Sequence, residues 1–184
     1  ASDVYKRQAL LAKNNAAQII KNHLSKKEKY AFAYSELSEK LGVTNIERIY
    51  SFDISHQYMQ QGVGSCVVFA ESGASKKDYR LFNIPNDIAG NDVASMEHVI
   101  SRRLKYYEDK RPDLILIDGG RVQLNFTNRI LKNFEMEKIL VLGIAKGKGR
   151  VRATETIYTN KGILEIDPRS ESFKLLNELR DESH

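Results

Sequence analysis

Cysteine and long apolar segments are scarce in this 184-residue sequence. Its one cysteine, Cys66, lies in the apolar run Cys66-Val67-Val68-Phe69, so a disulfide framework is excluded and a reducing, cytoplasmic environment is expected. The longest apolar stretch, residues 139–145, is far shorter than the roughly 20 residues that span a bilayer. No signal peptide is recognisable, and we expect no membrane partner.

Nucleotide-binding loops, internal repeats and low-complexity segments are also missing. The glycine-containing segment at 146–152 lacks the Gly-x4-Gly-Lys-Ser/Thr pattern with which P-loop proteins hold nucleotide phosphates. The length indicates one domain with room for a small appendage. A net charge of +5, spread along the chain without a long basic tail, mildly favours a polyanionic partner.

Two apolar segments each carry an aspartate. Residues 48–56 are rich in β-branched and aromatic side chains and contain Asp53, so they are predicted to form a strand. Residues 112–120 contain a continuous apolar run that ends at Asp118 and two glycines, as in a strand buried on both faces. A buried carboxylate is costly unless it is paired, hydrogen-bonded or bound to a metal.

The pair of aspartates has two interpretations. If the two strands are neighbours, Asp53 and Asp118 meet at one edge of the sheet, and two close carboxylates repel unless a divalent cation lies between them. The alternative is structural, because Asp-Gly is a common turn signal and an acid after a strand often caps the next helix. The residues of the two segments alone leave both interpretations open.

Hydrophobic periodicity places the other elements. Helices are predicted at residues 3–24, 28–41, 92–108 and 122–133, and again after the segment Asp167-Pro168-Arg169-Ser170. Further strands are predicted at residues 65–70, 78–84 and 138–145, with a short hairpin at 154–158 and 162–166. Gly42 is expected to close the second helix as a left-handed cap, and Asp92 is a candidate N-cap of the third.

This order of elements predicts an α/β fold. Three antiparallel strands, a helix, a strand, a helix, a strand and a terminal helix are the order of a ribonuclease H-like mixed five-stranded sheet flanked by helices. Its first and fourth strands are central neighbours, which would place Asp53 beside Asp118. We expect residues 45–184 to form this domain and residues 1–44 to form an N-terminal helical appendage.

The densest basic stretch is Lys146-Gly147-Lys148-Gly149-Arg150-Val151-Arg152. Glycines among cations let backbone amides and side chains approach phosphates together, so its four basic residues are candidates for DNA binding: Lys146, Lys148, Arg150 and Arg152. The alternative is a flexible, solvated loop.

Six motifs, in order, resemble the C-terminal endonuclease domain of UvrC, the nuclease subunit of the bacterial excinuclease. They cover nearly all of residues 40–184. The motifs are Phe52-Asp53-Ile54-Ser55-His56, Ser65-Cys66-Val67-Val68-Phe69, Tyr79-Arg80-Leu81-Phe82-Asn83-Ile84, Leu114-Ile115-Leu116-Ile117-Asp118-Gly119-Gly120, Gly143-Ile144-Ala145-Lys146-Gly147 and Arg180-Asp181-Glu182-Ser183-His184.

The resemblance implies an active site of two aspartates and a histidine, which fall on Asp53, Asp118 and His184 and would hold Mg²⁺ or Mn²⁺. A further acid of the family corresponds to Asp92, although Val93 stands here where the family has an aromatic residue. The acid of a Glu-Thr pair falls on Glu155, as an accessory residue. Apart from the resemblance, His56 is a second accessory candidate because it lies three positions after Asp53.

The implied function is a metal-dependent endodeoxyribonuclease that cuts 5′ of a lesion in nucleotide excision repair, leaving a 3′-hydroxyl and a 5′-phosphate. The implied partners are damaged double-stranded DNA and, through the full-length protein, a UvrB–DNA complex. No GIY-YIG nuclease and no helix-hairpin-helix pair are found, so the sequence is expected to be one domain of a longer protein. Two alternatives remain: another ribonuclease H-like nuclease such as a junction resolvase, and a non-catalytic module that docks DNA or a partner.

Overall fold

A computed structural model describes residues 2–22, 25–55, 62–106, 111–147 and 155–184. Within these residues the helices are α1 (Ser2–Asn22), α2 (Lys26–Leu41), α3 (Asp92–Lys105), α4 (Arg121–Asn133) and α5 (Glu171–Ser183). The strands are β1 (Ile49–Ser55), β2 (Val63–Ala70), β3 (Gly73–Ala74), β4 (Arg80–Asn83), β5 (Leu114–Asp118), β6 (Leu140–Lys146), β7 (Glu155–Thr159) and β8 (Gly162–Leu164).

The described strands form one mixed sheet in the order β3-β2-β1-β5-β6-β7-β8, with β4 also paired to β2. The pairs β1–β2 and β2–β4 are antiparallel, whereas β1–β5 and β5–β6 are parallel. The predicted ribonuclease H-like sheet is therefore confirmed, with the first and fourth of its five strands as neighbours. Three further strands, β3, β7 and β8, extend it.

Side-chain alternation along the central strands builds an apolar core on each face of the sheet. On one face, Ile49 and Leu116 join the core formed with α2 and α5. On the other, Tyr50 and Ile117 join the core formed with α3 and α4. The helices thus cover both faces and leave the strand ends as the place where polar side chains can gather.

Local signals fix the ends of the helices around the sheet. At the start of α2, Ser25 accepts a hydrogen bond from Glu28 N and the Glu28 carboxylate accepts one from Ser25 N. Gly42 ends α2 with φ of 67°, as predicted for a left-handed cap.

Leu37 of α2 is fully buried in the core. The proposed boundary between residues 44 and 45 stays a prediction. No helix of the described segments has the length and apolar character needed to cross a bilayer.

Some predicted element boundaries differ from those of the structure. The strand predicted at 78–84 is β4, Arg80–Asn83, because Asp78 ends a 3₁₀ turn (Lys76–Asp78). Asp78 is held there by the Ser75 hydroxyl at 2.8 Å and by an ion pair with Arg48 at 3.1 Å. The helix predicted at 92–108 is described as far as Lys105, and residues 107–108 lie outside the described residues.

Candidate active site

Asp53 and Asp118 reach the same edge of the sheet because β1 and β5 run parallel. Residues 49–52 of β1 pair with residues 114–117 of β5, and the next step of this register sets Asp53 beside Asp118. Both aspartates also lie on the face covered by α5, since each is an even number of residues from a side chain of that core. Strand register and alternation together therefore bring the two carboxylates to one place.

His184, at the end of α5, lies beside both aspartates. Its Nδ1 lies 3.6 Å from Asp53 Oδ2, and its Nε2 lies 2.8 Å from Asp118 Oδ2. One ligand atom from each of the three residues lies within 4.8 Å of the others. The side chains are 21%, 33% and 50% exposed for Asp53, Asp118 and His184, so the cluster is open to solvent on one side.

The donor set fits a hard divalent cation. Carboxylate oxygens are the ligands that Mg²⁺ prefers, and an imidazole nitrogen beside them also suits Mn²⁺. Two carboxylates facing each other across an open surface would otherwise repel both each other and a polyanion. Among the described residues no other acid, cysteine or histidine joins this group.

The turn that follows Asp118 depends on close backbone approach. Gly119 has φ of 153°, which favours glycine, and its N–H donates to Ile144 O of β6 at 2.8 Å. A Cβ on Gly143 would lie only 2.7 Å from Gly119 O. Gly143 is thus needed to let the turn lie against β6, a role that sequence reasoning missed because the contact is between different elements.

Glu155 does not join the cluster of Asp53, Asp118 and His184. It lies on β7 and pairs with Arg180 of α5, with Nη1 3.0 Å from Oε1. Burial opposes the charge of Arg180, but hydrogen bonds to Asp181 and Glu155 outweigh it and raise its pKa. This ion pair ties the last turn of α5 to the sheet one turn before His184, and sequence reasoning did not predict Arg180 as its partner.

Asp92 also lies outside the cluster of three and is not the N-cap of α3. The cap is Asn91, whose side-chain oxygen accepts a hydrogen bond from Ala94 N at 3.0 Å while its backbone is extended. Asp92 is the first helical residue, where a carboxylate is favoured by the helix dipole. The capping prediction was therefore wrong by one residue.

Of the predicted DNA-binding residues, Lys146 is described. It ends β6, its side chain is exposed, and it lies two residues beyond Ile144, which pairs with Asp118. The same sheet face therefore presents Lys146 and Asp118. Lys148, Arg150, Arg152 and the accessory candidate His56 lie outside the described residues.

The sheet order and the covering helices define a ribonuclease H-like α/β domain. Residues 38–184 match the family described as the UvrC RNAse H endonuclease domain. This chain belongs to that family, as its motifs predicted.

Curated relatives agree with this assignment. The chain is 39% identical over 181 residues to the UvrABC system protein C of Saccharophagus degradans, covering 95% of this chain and 29% of that protein. It is 37% identical over 186 residues to the protein of the same name from Coxiella burnetii, covering 98% and 30% respectively. The chain thus spans less than a third of the length of these relatives.

Solved structures that match part of this chain are more distant in sequence. One is Ciona intestinalis endonuclease V in complex with an inosine-containing 24mer DNA, with a TM-score of 0.42, 13% identity, and coverage of 74% of this chain and 60% of that one. Another is human endonuclease V, with a TM-score of 0.40, 16% identity, and coverage of 58% and 48%.

Proposed function

We propose that this chain is a metal-dependent DNA endonuclease domain that cuts the damaged strand 5′ of a lesion in nucleotide excision repair. The observation that carries the proposal is the convergence of Asp53, Asp118 and His184 at one edge of the sheet. Family membership and the UvrABC relatives support the repair context. In that context its partners are damaged double-stranded DNA and, through the remainder of a longer protein, a UvrB–DNA complex in the cytoplasm.

Asp53, Asp118 and His184 would hold Mg²⁺ or Mn²⁺. When bound, the cation would activate a water molecule and neutralise charge on the scissile phosphate. The chain's own contribution is geometric, because the three side chains come from different elements of a packed domain and fix where the phosphate can lie. His184 adds a ligand without adding a third negative charge, which lowers the repulsion felt by the DNA backbone.

The other predicted residues take supporting roles in this proposal. Lys146 lies on the same face as Asp118 and would contact a phosphate beside the scissile one. Glu155 would act through Arg180, which it orients together with the last turn of α5. Asp92 would act from the first turn of α3. Hydrolysis by in-line attack of water would leave a 3′-hydroxyl and a 5′-phosphate.

Cleavage of a lesion duplex already nicked on the 3′ side tests the proposal. The assay contains Mg²⁺ or Mn²⁺, the partner proteins and the remaining domains of a UvrC relative, and compares wild type with Asp118→Asn. We expect wild type to cut 5′ of the lesion and Asp118→Asn to be slower by more than about a hundredfold. Asp113→Asn is the matched control. The Asp113 carboxylate lies at the other end of β5, where it accepts hydrogen bonds from the backbone N–H groups of Glu47 and Arg48.

Other outcomes would favour other functions. Equal cleavage by wild type and Asp118→Asn would remove Asp118 from the chemistry. Preferential cutting of four-way junctions would favour a junction resolvase. Metal-independent DNA binding without cleavage, in a chain with an intact fold, would favour a docking module.

A further inference from the structure

Hydroxyl groups tie the end of α5, which carries His184, to the sheet. Ser65 of β2 donates a hydrogen bond from Oγ to Ser183 O at 2.8 Å. Ser51 of β1 lies beside it on the same sheet face, with its Oγ 3.4 Å from Ser183 Oγ. We propose that Ser65, assisted by Ser51, is a positioning residue that holds His184 against the two aspartates; this inference rests on the proposed function.

The position of Ser65 links the carboxylate to the histidine. Ser65 is the direct cross-strand partner of Asp53 in the antiparallel β1–β2 pair, so both side chains lie on the same face. The residue that Ser65 binds, Ser183, immediately precedes His184. One cross-strand pair therefore supplies both a candidate metal ligand and the anchor of the next candidate ligand.

The Ser65 hydrogen bond satisfies a group that the helix cannot satisfy. The last four carbonyl groups of an α-helix have no partner within that helix, and Ser183 O is one of them. His184 itself is tied to the helix by a long bond from its N–H to Arg180 O at 3.3 Å. Because helix ends fray, the hydroxyl of Ser65 is well placed to decide where the His184 side chain lies.

A second hydrogen bond, from the Ser51 hydroxyl to the Ser183 hydroxyl, joins β1 to the end of α5 inside the core. Ser51 is 1% exposed and lies between Ile49 and Asp53 on the sheet face covered by α5. Ser183 is 5% exposed and its hydroxyl donates to Arg180 O at 2.8 Å, which leaves its oxygen free to accept from Ser51. Buried hydroxyls cost stability unless they are hydrogen-bonded, so the hydrogen bond that Ser51 donates to Ser183 is consistent with a specific positioning role.

The test compares Ser65→Ala with Ser65→Thr, which keeps a hydroxyl on a strand position. Ser38→Ala is the matched control, because the Ser38 hydroxyl, in a residue that is 5% exposed, likewise donates to a backbone carbonyl, Tyr34 O at 2.8 Å, within α2. Two quantities are measured on the whole chain: Mn²⁺ affinity by calorimetry, and the His184 Cε1–Hε1 resonance by NMR, assigned from its loss in His184→Gln.

We expect Ser65→Ala to lower Mn²⁺ affinity by roughly tenfold, as for other residues that orient metal ligands. The His184 resonance of the metal-free Ser65→Ala chain should shift toward that of a solvated histidine. Ser65→Thr should recover most of both changes, and Ser38→Ala should cause neither. Turnover should fall in Ser65→Ala while KM for DNA stays unchanged, since Ser65 acts through His184.

An unchanged His184 resonance together with unchanged Mn²⁺ affinity in Ser65→Ala would overturn the inference. So would an equal loss in Ser38→Ala, since that would indicate general destabilisation. If the expected changes occur but wild type cuts no DNA under the conditions above, the positioning role stands and the proposed nuclease function fails.

Discussion

The close approach of β6 to the turn after Asp118 makes Gly143→Ala a sharp test of the site's construction. A Cβ at this position would lie 2.7 Å from Gly119 O and 3.3 Å from Gly120 O. Ordinary contact begins at 3.4 Å, so the turn must move by 3.4 − 2.7 = 0.7 Å away from β6. Both obstructing atoms are backbone oxygens, which cannot rotate away as a flexible side chain would.

The expected cost combines two opposing effects. Overpacking that forces backbone shifts costs about 1–3 kcal/mol. Replacing glycine by alanine restricts the unfolded chain and returns about 0.4–1 kcal/mol. The net loss in unfolding free energy should therefore be roughly 1–2 kcal/mol. The same movement carries Asp118 away from His184, now 2.8 Å away, so Mn²⁺ affinity and cleavage should fall as well.

Urea denaturation followed by circular dichroism, with Mn²⁺ titration of the same samples, measures both effects. Gly120→Ala is the matched control, because its Cβ would meet Tyr158 at an ordinary 3.8 Å and its φ is −93°. Gly120 is the N-cap of α4, where alanine is disfavoured, so its net change should stay below about 1 kcal/mol. A Gly143→Ala chain with wild-type stability and Mn²⁺ affinity would refute the reasoning, as would equal losses in both variants.

Three further predictions concern packing, charge and pH. Leu179→Ala, at a fully buried position of α5, should lower the unfolding free energy by about 3 kcal/mol in urea denaturation, and Leu81→Ala, at a 77% exposed position, by less than about 0.5 kcal/mol. Equal losses would contradict the assigned core. Lys146→Gln should weaken DNA binding and reduce the slope of log affinity against log salt by about 0.9, and an unchanged slope would exclude Lys146 from the interface. Burial raises the pKa of the Cys66 thiol to about 12 from its ordinary 9.0, so the stabilisation by the neutral thiol is complete below pH 9 and is lost as pH rises toward 12. Above pH 9 the unfolding free energy of Cys66→Ala should therefore decline less steeply than that of wild type, by up to about 1.4 kcal/mol per pH unit, and parallel curves would contradict this.

The sequence by itself was sufficient to predict the helices, the central strands and their order. Periodic apolar positions in α3 and α4, the β-branched and aromatic residues of β1 and the continuous apolar run of β5 are local signals, so they can be recognised without knowing what packs against them. Their order predicted the ribonuclease H-like sheet, and with it the neighbourhood of Asp53 and Asp118. The six motifs identified the family.

Boundaries depended on interactions that local patterns do not contain. Asp78 was predicted within a strand, but its ion pair with Arg48, thirty positions earlier in the chain, holds it in a 3₁₀ turn instead. Asn91 rather than Asp92 caps α3, because both residue types favour that position and only the backbone conformation decides between them.

Only the tertiary structure decided how the candidate site is assembled. Resemblance pointed to His184, but its place between the two carboxylates depends on where α5 ends over the sheet. The contacts of Ser65 with Ser183 and of Arg180 with Glu155 join elements far apart in sequence. No periodicity marks them, because such contacts arise from the packing of a helix on a sheet. The sequence thus pointed to the candidate residues, and the packing of α5 across β1, β2 and β7 determined that they meet.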